Sequence, residues 1–506
     1  MGTSARVVES KGLKADALGF VSSVVIGVAS TAPGYSLAAV LTLVVAAVGV
    51  QAPAVLILAF LPMLFIAASY YYMNRADPDC GTTFSWVTRA MGPWTGWIAG
   101  WAIIVADVIV MANLAQIAGL YGFLLVGWQS AADSTLAVTL VGVVWIVVMT
   151  AICVYGIELS ARTQVGLLGA EVLTLALFAV VALIKVYTGD ALAGSIHPDI
   201  GWFSPFAIDS LNGLTTGLLV AVFIYWGWDS TVTVNEETKD SGTTPGRAAV
   251  VSTFILVGIY VVVAAAAVAF AGAEAIAKDD SGDALGLLGK EVLGTPWDKL
   301  VIIAVLTSAA ASTQTTILPT ARTSLSMARA GAMPASLGHI HPRFLTPHVS
   351  TLLMGGFSIV WYVGLTLVSE NILFDSIAAL GLMIAFYYGL TGFACTWYYR
   401  HELVKSVKGF VYVGVAPTLG GLILTYVLVK SCIDLSKPAN SESGSSWFGV
   451  GPPLIIGVGM MLFGVVLMFI WYSQGHRDFF RRRLEVADPG SLDAPPPMPA
   501  PSAGVA

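Results

Sequence analysis

Runs of about 20 apolar residues recur along the whole chain, separated by short polar stretches. A helix needs roughly 20 apolar residues to cross the hydrocarbon core of a bilayer. The pattern therefore predicts about twelve membrane-spanning helices, which we number as spans 1 to 12 in chain order. They centre on residues 20–48, 52–74, 93–124, 134–156, 161–187, 211–235, 247–271, 298–328, 348–369, 372–398, 408–431 and 450–473.

The composition supports this interpretation. Of the 506 residues, 57% are hydrophobic and only 11% are charged. Soluble domains carry roughly 25% charged residues, so this chain has too few to cover a water-facing surface of its size. We expect an all-α, multi-pass membrane protein. The four cysteines are scattered without metal-ligand spacing, so we expect neither a disulfide framework nor a metal site.

The basic residues predict the orientation of the chain. Eighteen of the 24 Lys and Arg residues fall on one side of the proposed arrangement and six on the other. By the positive-inside rule the richer side faces the cytoplasm, which places both tails there, residues 1–15 and 476–506. The expected location is the plasma (inner) membrane. The stretch from Pro489 onward is rich in Pro and Ala and is expected to be partly disordered.

Span 1 is interrupted near its middle. It reads VSSVVIGVASTAPGYSLAAVLTLVVAAVG, and the interruption comprises Ser30, Thr31, Ala32, Pro33 and Gly34. Proline removes a backbone donor and clashes with the preceding turn, and glycine adds conformational freedom. Membrane helices tolerate a lone proline as a kink, so this feature alone is also compatible with a purely structural role.

Span 6 is interrupted at a matching depth. The segment FIYWGWDSTVTVNEETKD places an unusual group in its middle, namely Tyr225, Trp226, Gly227, Trp228 and Asp229. Unwound backbone is allowed inside a membrane only where it lines a cavity or is buried in protein. Paired interruptions in corresponding spans are typical of inverted-repeat transporters, whose substrate binds between two discontinuous helices.

This pairing predicts a division of the chain into two repeats of five spans each. The first repeat covers residues 16–188 and the second covers 189–400, while spans 11 and 12 lie in residues 401–475. We expect the interruption residues of spans 1 and 6, together with Asp107 of span 3, to form the substrate site.

Three segments carry a family resemblance. They are span 6 with the following PGRA, the stretch DPDCGTTFSWVTRAMGPWTGWIAGW at 77–101, and PTARTSLSMARAGAMPASLGHIHPRFLTP at 319–347. With them the chain resembles the amino acid–polyamine–organocation (APC) superfamily of permeases, over roughly residues 15 to 475. The resemblance implies a leucine-transporter-like fold of twelve helices and secondary active transport of amino acids or amines.

Two positions depart from the family pattern. Many members carry a Gly-x-Gly trio in the span 1 interruption, whose free N–H groups hold a substrate carboxylate. This chain has Thr31, Ala32 and Pro33 there, and Pro33 has no N–H. Several proton-dependent members have a lysine in span 5, and the matching position here is Glu171. Both departures favour a neutral or cationic ligand over an anionic one.

Asp107, Glu171 and Asp229 lie deep in predicted spans. A charged side chain at the bilayer centre costs at least about 2.5–3.5 kcal/mol. Each residue is compatible with a buried structural acid, but acids without a cationic partner also suit a transporter of protons, ions or cations. We expect Glu171 to couple transport to protons, although sodium remains open through hydroxyls such as those of Ser308 and Ser312.

The positions of other polar residues, near the ends of spans, indicate further roles. Glu236 and Glu237 end span 6 and are either solvated or form an inner gate with Arg322 or Arg329. Tyrosines near other span ends are most simply interfacial belts. The tyrosines concerned are Tyr70, Tyr71, Tyr72, Tyr398 and Tyr399.

No catalytic constellation, phosphate-binding loop or basic nucleic-acid patch is evident, so we expect neither an enzyme nor a nucleic-acid partner and no cofactor besides an ion gradient. The leading hypothesis is a proton-coupled importer of amino acids or related amines. The alternatives are a polyamine or cationic amine importer, a substrate exchanger or a channel on the same scaffold, and, least favoured, a membrane-embedded enzyme. The oligomeric state is left open.

Overall fold

The computed structural model of the chain describes residues 10–278, 283–441, 443–481 and 492. Throughout these residues the regular elements are helices, accompanied by two isolated β-bridges, Leu18 with Thr238 and Trp447 with Val450. The predicted all-α class is confirmed. The stretch from Pro489 that was expected to be disordered lies outside the described residues, apart from Leu492.

Ten helical segments in the described residues are long and apolar enough to cross a membrane. One of them, Phe20–Ala76, contains both span 1 and span 2, and the shorter apolar helix Leu211–Phe223 is the first half of span 6. Counted this way, the helices match the twelve predicted spans. Their bounds are Phe20–Ser30 with Pro33–Val48 (span 1), Ala52–Ala76 (2), Pro93–Val126 (3), Thr135–Tyr155 (4), Ile157–Thr188 (5), Leu211–Phe223 with Ser230–Thr233 (6), Thr244–Ala271 (7), Lys299–Arg329 (8), His348–Val368 (9), Glu370–Tyr398 (10), Val407–Gly409, Phe410–Val415 and Ala416–Leu435 (11), and Pro452–Ser473 (12).

Burial separates an inner group of spans from an outer group. The most apolar window of span 3 is 89% buried and that of span 8 is 72% buried, whereas those of spans 9 and 12 are 28% and 22% buried. Span 8 carries a run of small residues, Ala309, Ala310, Ala311 and Ser312, all of them buried. Small residues let membrane helices approach closely, so this run allows span 8 to pack tightly at the centre.

The interruption of span 1 comprises Thr31 and Ala32, directly before Pro33. The first half-helix ends at Ser30, and Ala32 adopts a left-handed conformation with φ of 47°. Such a φ is uncommon outside glycine. Pro33 is then the first residue of the second half-helix, where its missing N–H and fixed φ are favourable. The left-handed Ala32 therefore marks the turning point, and Pro33 sets the start of the next helix.

Span 6 stops being helical after Phe223 and resumes briefly at Ser230. Gly227 lies between these points with φ of 117°, a conformation that side chains rarely adopt. A Cβ at this position would lie 2.7 Å from the carbonyl oxygen of Ser30. Glycine is therefore required here both for its backbone conformation and for the close approach of the two interruptions. The division into two inverted repeats stays a prediction.

Candidate functional site

The two interruptions meet directly. The hydroxyl groups of Ser30 and Ser230 are 2.7 Å apart and share a hydrogen bond. Ser312 of span 8 donates a hydrogen bond of 2.9 Å to the carbonyl oxygen of Ser30. The structure thus brings the predicted Ser30 of span 1 against Gly227 and Ser230 of span 6, and span 8 contacts the same point through Ser312.

Every backbone N–H of the span 1 interruption has an acceptor within the protein. Thr31 and Ala32 donate to the carbonyl groups of Val28 and Ala29, at 3.2 and 3.1 Å. In the second half-helix, Tyr35 donates to the Ser308 hydroxyl at 3.2 Å, and Ser36 donates to the Ala32 carbonyl at 2.8 Å. The N–H of Gly34 remains, and its acceptor is a side chain.

That side chain is Glu171 of span 5. Its Oε1 accepts a hydrogen bond of 2.7 Å from the N–H of Gly34. Glu171 is fully buried, and its second oxygen, Oε2, has no hydrogen-bond partner among the described residues. The N-terminus of a helix attracts negative charge through its exposed N–H groups and dipole. A carboxylate of the protein itself therefore occupies the N-terminus of the second half-helix, the position at which the family resemblance implies a substrate carboxylate.

Asp229 is held by tyrosine hydroxyls. Tyr388 donates to Oδ1 at 2.7 Å, Tyr387 donates to Oδ2 at 3.3 Å, and the Tyr70 hydroxyl lies 3.5 Å from Oδ2. Asp229 is 4% exposed, and the three tyrosines are fully buried around it. We call these three residues the tyrosine cage. The cage supplies neutral donors to a buried carboxylate, which leaves its negative charge uncompensated by these partners.

The cage extends through the interruption of span 6. Tyr388 accepts a hydrogen bond of 3.4 Å from the N–H of Gly227 and stacks on Trp228 at 5.3 Å between ring centroids. The indole N–H of Trp226 donates to the Tyr387 hydroxyl. The two predicted tryptophans therefore line the surroundings of Asp229.

Tyr225 contacts spans 2 and 7. Its hydroxyl donates to the carbonyl of Leu56 in span 2 at 2.9 Å, and its ring packs against Tyr260 of span 7 at 5.0 Å. Asp107 is bonded to another span: its carboxylate accepts a hydrogen bond of 2.8 Å from Thr320 of span 8. The structure gives each of these residues a bond that joins neighbouring spans, and their predicted role in substrate binding stays a prediction.

The tyrosine cage was missed from the sequence. The prediction of an interfacial belt is wrong for Tyr70, Tyr398 and Tyr399, because all three are buried. Adjacent tyrosines in the middle of span 10, at 387 and 388, were the available signal: two phenolic hydroxyls at depth need buried partners.

At the ends of spans 6 and 8 lies a buried ion pair. Arg322 Nε is 2.5 Å from Glu237 Oε2, and both side chains are almost completely inaccessible to solvent. The structure thus pairs one of the predicted gate glutamates with one of the predicted arginines. Removing one partner of such a pair typically costs about 3–5 kcal/mol, because the other charge remains buried.

Glu236 takes its partner from the N-terminal segment, which was predicted only as a tail. Lys11 forms ion pairs with Glu236 and, at 2.9 Å, with Asp79. Arg329 pairs with neither glutamate and instead donates to the carbonyl of Lys11 at 3.2 Å. The expected gate contact of Arg329 is therefore replaced by one that fixes the N-terminal segment.

The backbone and the charges of this segment hold it in place. Leu18 exchanges two backbone hydrogen bonds of 2.9 Å with Glu237 and Lys239. Burial by itself would raise the pKa of Asp79, but the charges of Lys11 and Arg89 outweigh it and hold this pKa well below its usual range. We call the Lys11, Asp79 and Glu236 cluster the latch, because it joins the N-terminal segment to the loop before span 3 and to the end of span 6.

Buried carboxylates at two meeting helix interruptions, closed at one end by ion pairs, define a membrane transporter. The sequence profile described as amino acid permease matches residues 16–470, so the chain belongs to the amino acid permease family. The predicted APC resemblance is thereby confirmed, and with it a transporter role; transporters of this kind are generally not enzymes.

Proteins similar to this chain carry names that state different substrates or none. An uncharacterized transporter of Mycobacterium tuberculosis is 27% identical over 58% of this chain and 63% of its own length. The branched-chain amino acid permease BcaP of Lactococcus lactis is 25% identical over 57% and 63%. The low-affinity putrescine importer PlaP of Escherichia coli is 21% identical over 78% and 82%. The chain thus spans 63% of the length of the first two.

Proposed function

We propose that this protein is a proton-coupled permease that imports amino acids or related amines across the plasma membrane by alternating access, with both termini in the cytoplasm. The observation that carries this proposal is the pair of buried carboxylates at the interruptions. Glu171 bonds to a backbone amide and Asp229 to tyrosine hydroxyls, so neither of these bonds supplies a positive charge. A proton or a cationic ligand would supply it.

Within this class, the contacts favour amines. A substrate carboxylate would have to displace Glu171 from the N–H of Gly34, and Pro33 offers no alternative donor. An ammonium group would instead find the carboxylate of Asp229 and the aromatic faces around it, where each cation–π contact contributes about 0.5–2 kcal/mol. The putrescine importer named above is consistent with this preference, while the branched-chain permease keeps neutral amino acids as the second candidate.

Glu171 is the proposed site of proton coupling. Its Oε1 is bonded to Gly34 and its Oε2 has no partner among the described residues, which leaves one oxygen available for a proton. Alternating exposure of this oxygen to the two sides would carry one proton with the substrate. Sodium coupling or substrate exchange is the alternative.

The decisive experiment is a substrate panel in proteoliposomes that contain the purified full-length protein. We expect putrescine, arginine and alanine to accumulate when the outside is acidic, and to equilibrate only when the pH gradient is collapsed by an ionophore. Accumulation that follows an imposed sodium gradient instead would replace the proton by sodium. Gradient-independent exchange would make the protein an exchanger, and strong inhibition by glutamate alone would contradict the amine preference.

A further inference from the structure

A groove opens on the surface of the protein, and none of the interruption residues lines it. Its volume is about 870 Å³, and spans 1, 2, 7 and 11 form its walls. Its residues come from the start of spans 1, 7 and 11 and from the second half of span 2. Because successive spans run in opposite directions, these parts share one side of the membrane, the side on which the N-terminal segment lies.

The groove changes character from its rim to its depth. The rim, formed by the span ends on the side of the N-terminal segment, carries Tyr71, Tyr72 and Arg247 beside the apolar Phe20. One or two helical turns further along the same spans, the lining is apolar and includes Leu64 and Phe254. Eight residues of helix separate Tyr72 from Leu64, a depth of roughly 12 Å. A polar rim above an apolar slot of this depth has the amphipathic profile of a phospholipid.

The charge at the rim specifies the kind of phospholipid. Arg247 is exposed at the groove. The guanidinium of Arg75 donates to the Tyr71 hydroxyl at 3.4 Å, and Lys408, the second residue of span 11, interacts electrostatically with Tyr72. Basic pockets between membrane helices recognise anionic headgroups, and polybasic surfaces attract anionic leaflets.

We propose that this groove is a binding site for one anionic phospholipid, with its phosphate at Arg247 and an acyl chain in the slot that ends near Leu64 and Phe254. The tyrosine hydroxyls at the rim are donors for the remaining phosphate oxygens. Phe20, the first residue of span 1, also lines the groove. The lipid therefore contacts the half-helix that ends at the interruption, and its presence stabilises the position of that half-helix.

Native mass spectrometry of the full-length protein tests this proposal. The detergent-solubilised protein is mixed with equal amounts of phosphatidylglycerol and phosphatidylcholine that carry the same acyl chains. We expect the wild type to retain phosphatidylglycerol preferentially. Arg247→Gln should lower this preference about fivefold, the change expected for loss of one basic side chain near a headgroup. Arg162→Gln is the matched control, because it removes an exposed arginine that does not line the groove.

Ala68→Phe provides a second, independent variant. Ala68 lines the slot and carries no charge. A phenyl ring there should reduce the retention of both lipids. The lipid that stays bound should show the same preference for phosphatidylglycerol as in the wild type. Inorganic phosphate at millimolar concentration should not displace the lipid. Equal retention of the two lipids by the wild type would overturn the proposal, as would equal losses in Arg247→Gln and Arg162→Gln. Displacement by phosphate alone would assign the rim to free anions and overturn it as well.

Discussion

The carboxylate of Glu171 accepts a hydrogen bond of 2.7 Å from the backbone N–H of Gly34, across 137 positions of sequence. This bond connects span 5 to the start of the second half of span 1. The half-helix N-terminus is thereby already neutralised by the protein, which changes what a ligand finds there. A substrate carboxylate at this position would have to compete with Glu171, whereas an amine would not.

Glu171→Gln should flatten the pH dependence of uptake. In the wild type, uptake is expected to rise as the external pH falls, because the proposed co-substrate proton becomes more abundant. The glutamine oxygen still accepts from Gly34, so the half-helix stays in place, but the side chain no longer exchanges a proton. Uptake measured from pH 5 to 8 should lose its dependence on pH, while exchange of preloaded substrate continues.

The matched control is Glu158→Gln, which removes a carboxylate from the same span at an exposed position paired with Lys14. Its uptake should keep the wild-type pH profile. A wild-type profile in Glu171→Gln would show that Glu171 is structural, and sodium coupling would become the better hypothesis.

Pro33→Ala should move substrate preference toward carboxylates. The variant adds one N–H at the first position of the half-helix, beside those already bonded to Glu171 and Ser308. Hydrogen bonds to charged groups contribute about 1.5–3 kcal/mol, so inhibition by alanine or glutamate should strengthen by roughly tenfold or more. Competition against labelled putrescine measures the change. Pro53→Ala, at the first turn of span 2, is the control and should leave the order of inhibitors as in wild type.

Much of this site could be predicted because its residues break a strong local pattern. The interruption of span 1 and the tryptophans and aspartate of span 6 stand out against apolar runs, and Glu171 is conspicuous as a carboxylate inside one. The partners of these residues carry no such signal. Which face of span 10 presents Tyr388 to Asp229, and which amide Glu171 bonds, depends on how distant helices pack.

The latch shows the same limit. Lys11 precedes the first apolar run and has no feature that distinguishes it from a solvated tail residue. Its pairing with Asp79 and Glu236 arises only because three separate segments meet at the same end of the bundle. The buried contact of Arg322 with Glu237 was foreseeable as an alternative because opposite charges ended two neighbouring spans, but the choice between Arg322 and Arg329 was not.

Lys11→Gln should open the latch and expose Cys80. This thiol is buried, and burial followed by the charge of Glu236 raises its pKa well above the usual range. The charge of Lys11 lowers the pKa of this thiol. If the latch stayed closed, loss of that charge would raise the pKa further and make the thiol less reactive. Faster alkylation by N-ethylmaleimide would therefore report opening. Mass spectrometry of the peptide that contains Cys80 gives the rate.

The control for this experiment is Lys14→Gln, which removes a lysine from the same segment but from a half-exposed pair with Glu158. Exposed ion pairs contribute about 0–1 kcal/mol, so Cys80 should react at the wild-type rate. Slower alkylation in Lys11→Gln than in wild type would mean that the closed state does not depend on the latch.

Gly227→Leu should abolish transport without preventing membrane insertion. Its Cβ would meet the Ser30 carbonyl oxygen at 2.7 Å, and the positive φ adds strain of about 1–3 kcal/mol. The two interruptions can then no longer approach each other. Uptake is measured against the amount of protein in the membrane fraction. Gly258→Leu is the control, because nothing lies within 4 Å of a Cβ at this exposed glycine of span 7; equal activity of the two variants would remove the site from span 6.

The tyrosine cage gives the most direct test of substrate charge. Asp229→Asn removes the negative charge proposed to bind an ammonium group, so inhibition of uptake by putrescine should be lost, and inhibition by alanine should weaken less. Tyr388→Phe removes the 2.7 Å hydrogen bond that stabilises the ionised carboxylate. Loss of a hydrogen bond to a buried charged group costs about 1.5–3 kcal/mol, so the KM for amines should rise roughly tenfold or more while Asp229 itself remains.

Tyr399→Phe is the matched control for the cage. It removes an equally buried hydroxyl near the end of span 10, one that donates to the carbonyl of Tyr72 at 2.8 Å. A general effect of losing a buried phenol would lower the stability of both variants, whereas only Tyr388→Phe should raise the KM for amines. If putrescine still inhibits uptake in Asp229→Asn, its ammonium group binds elsewhere. Asp107 is then the next carboxylate to test, because Asp107 is the other buried acid predicted to bind substrate.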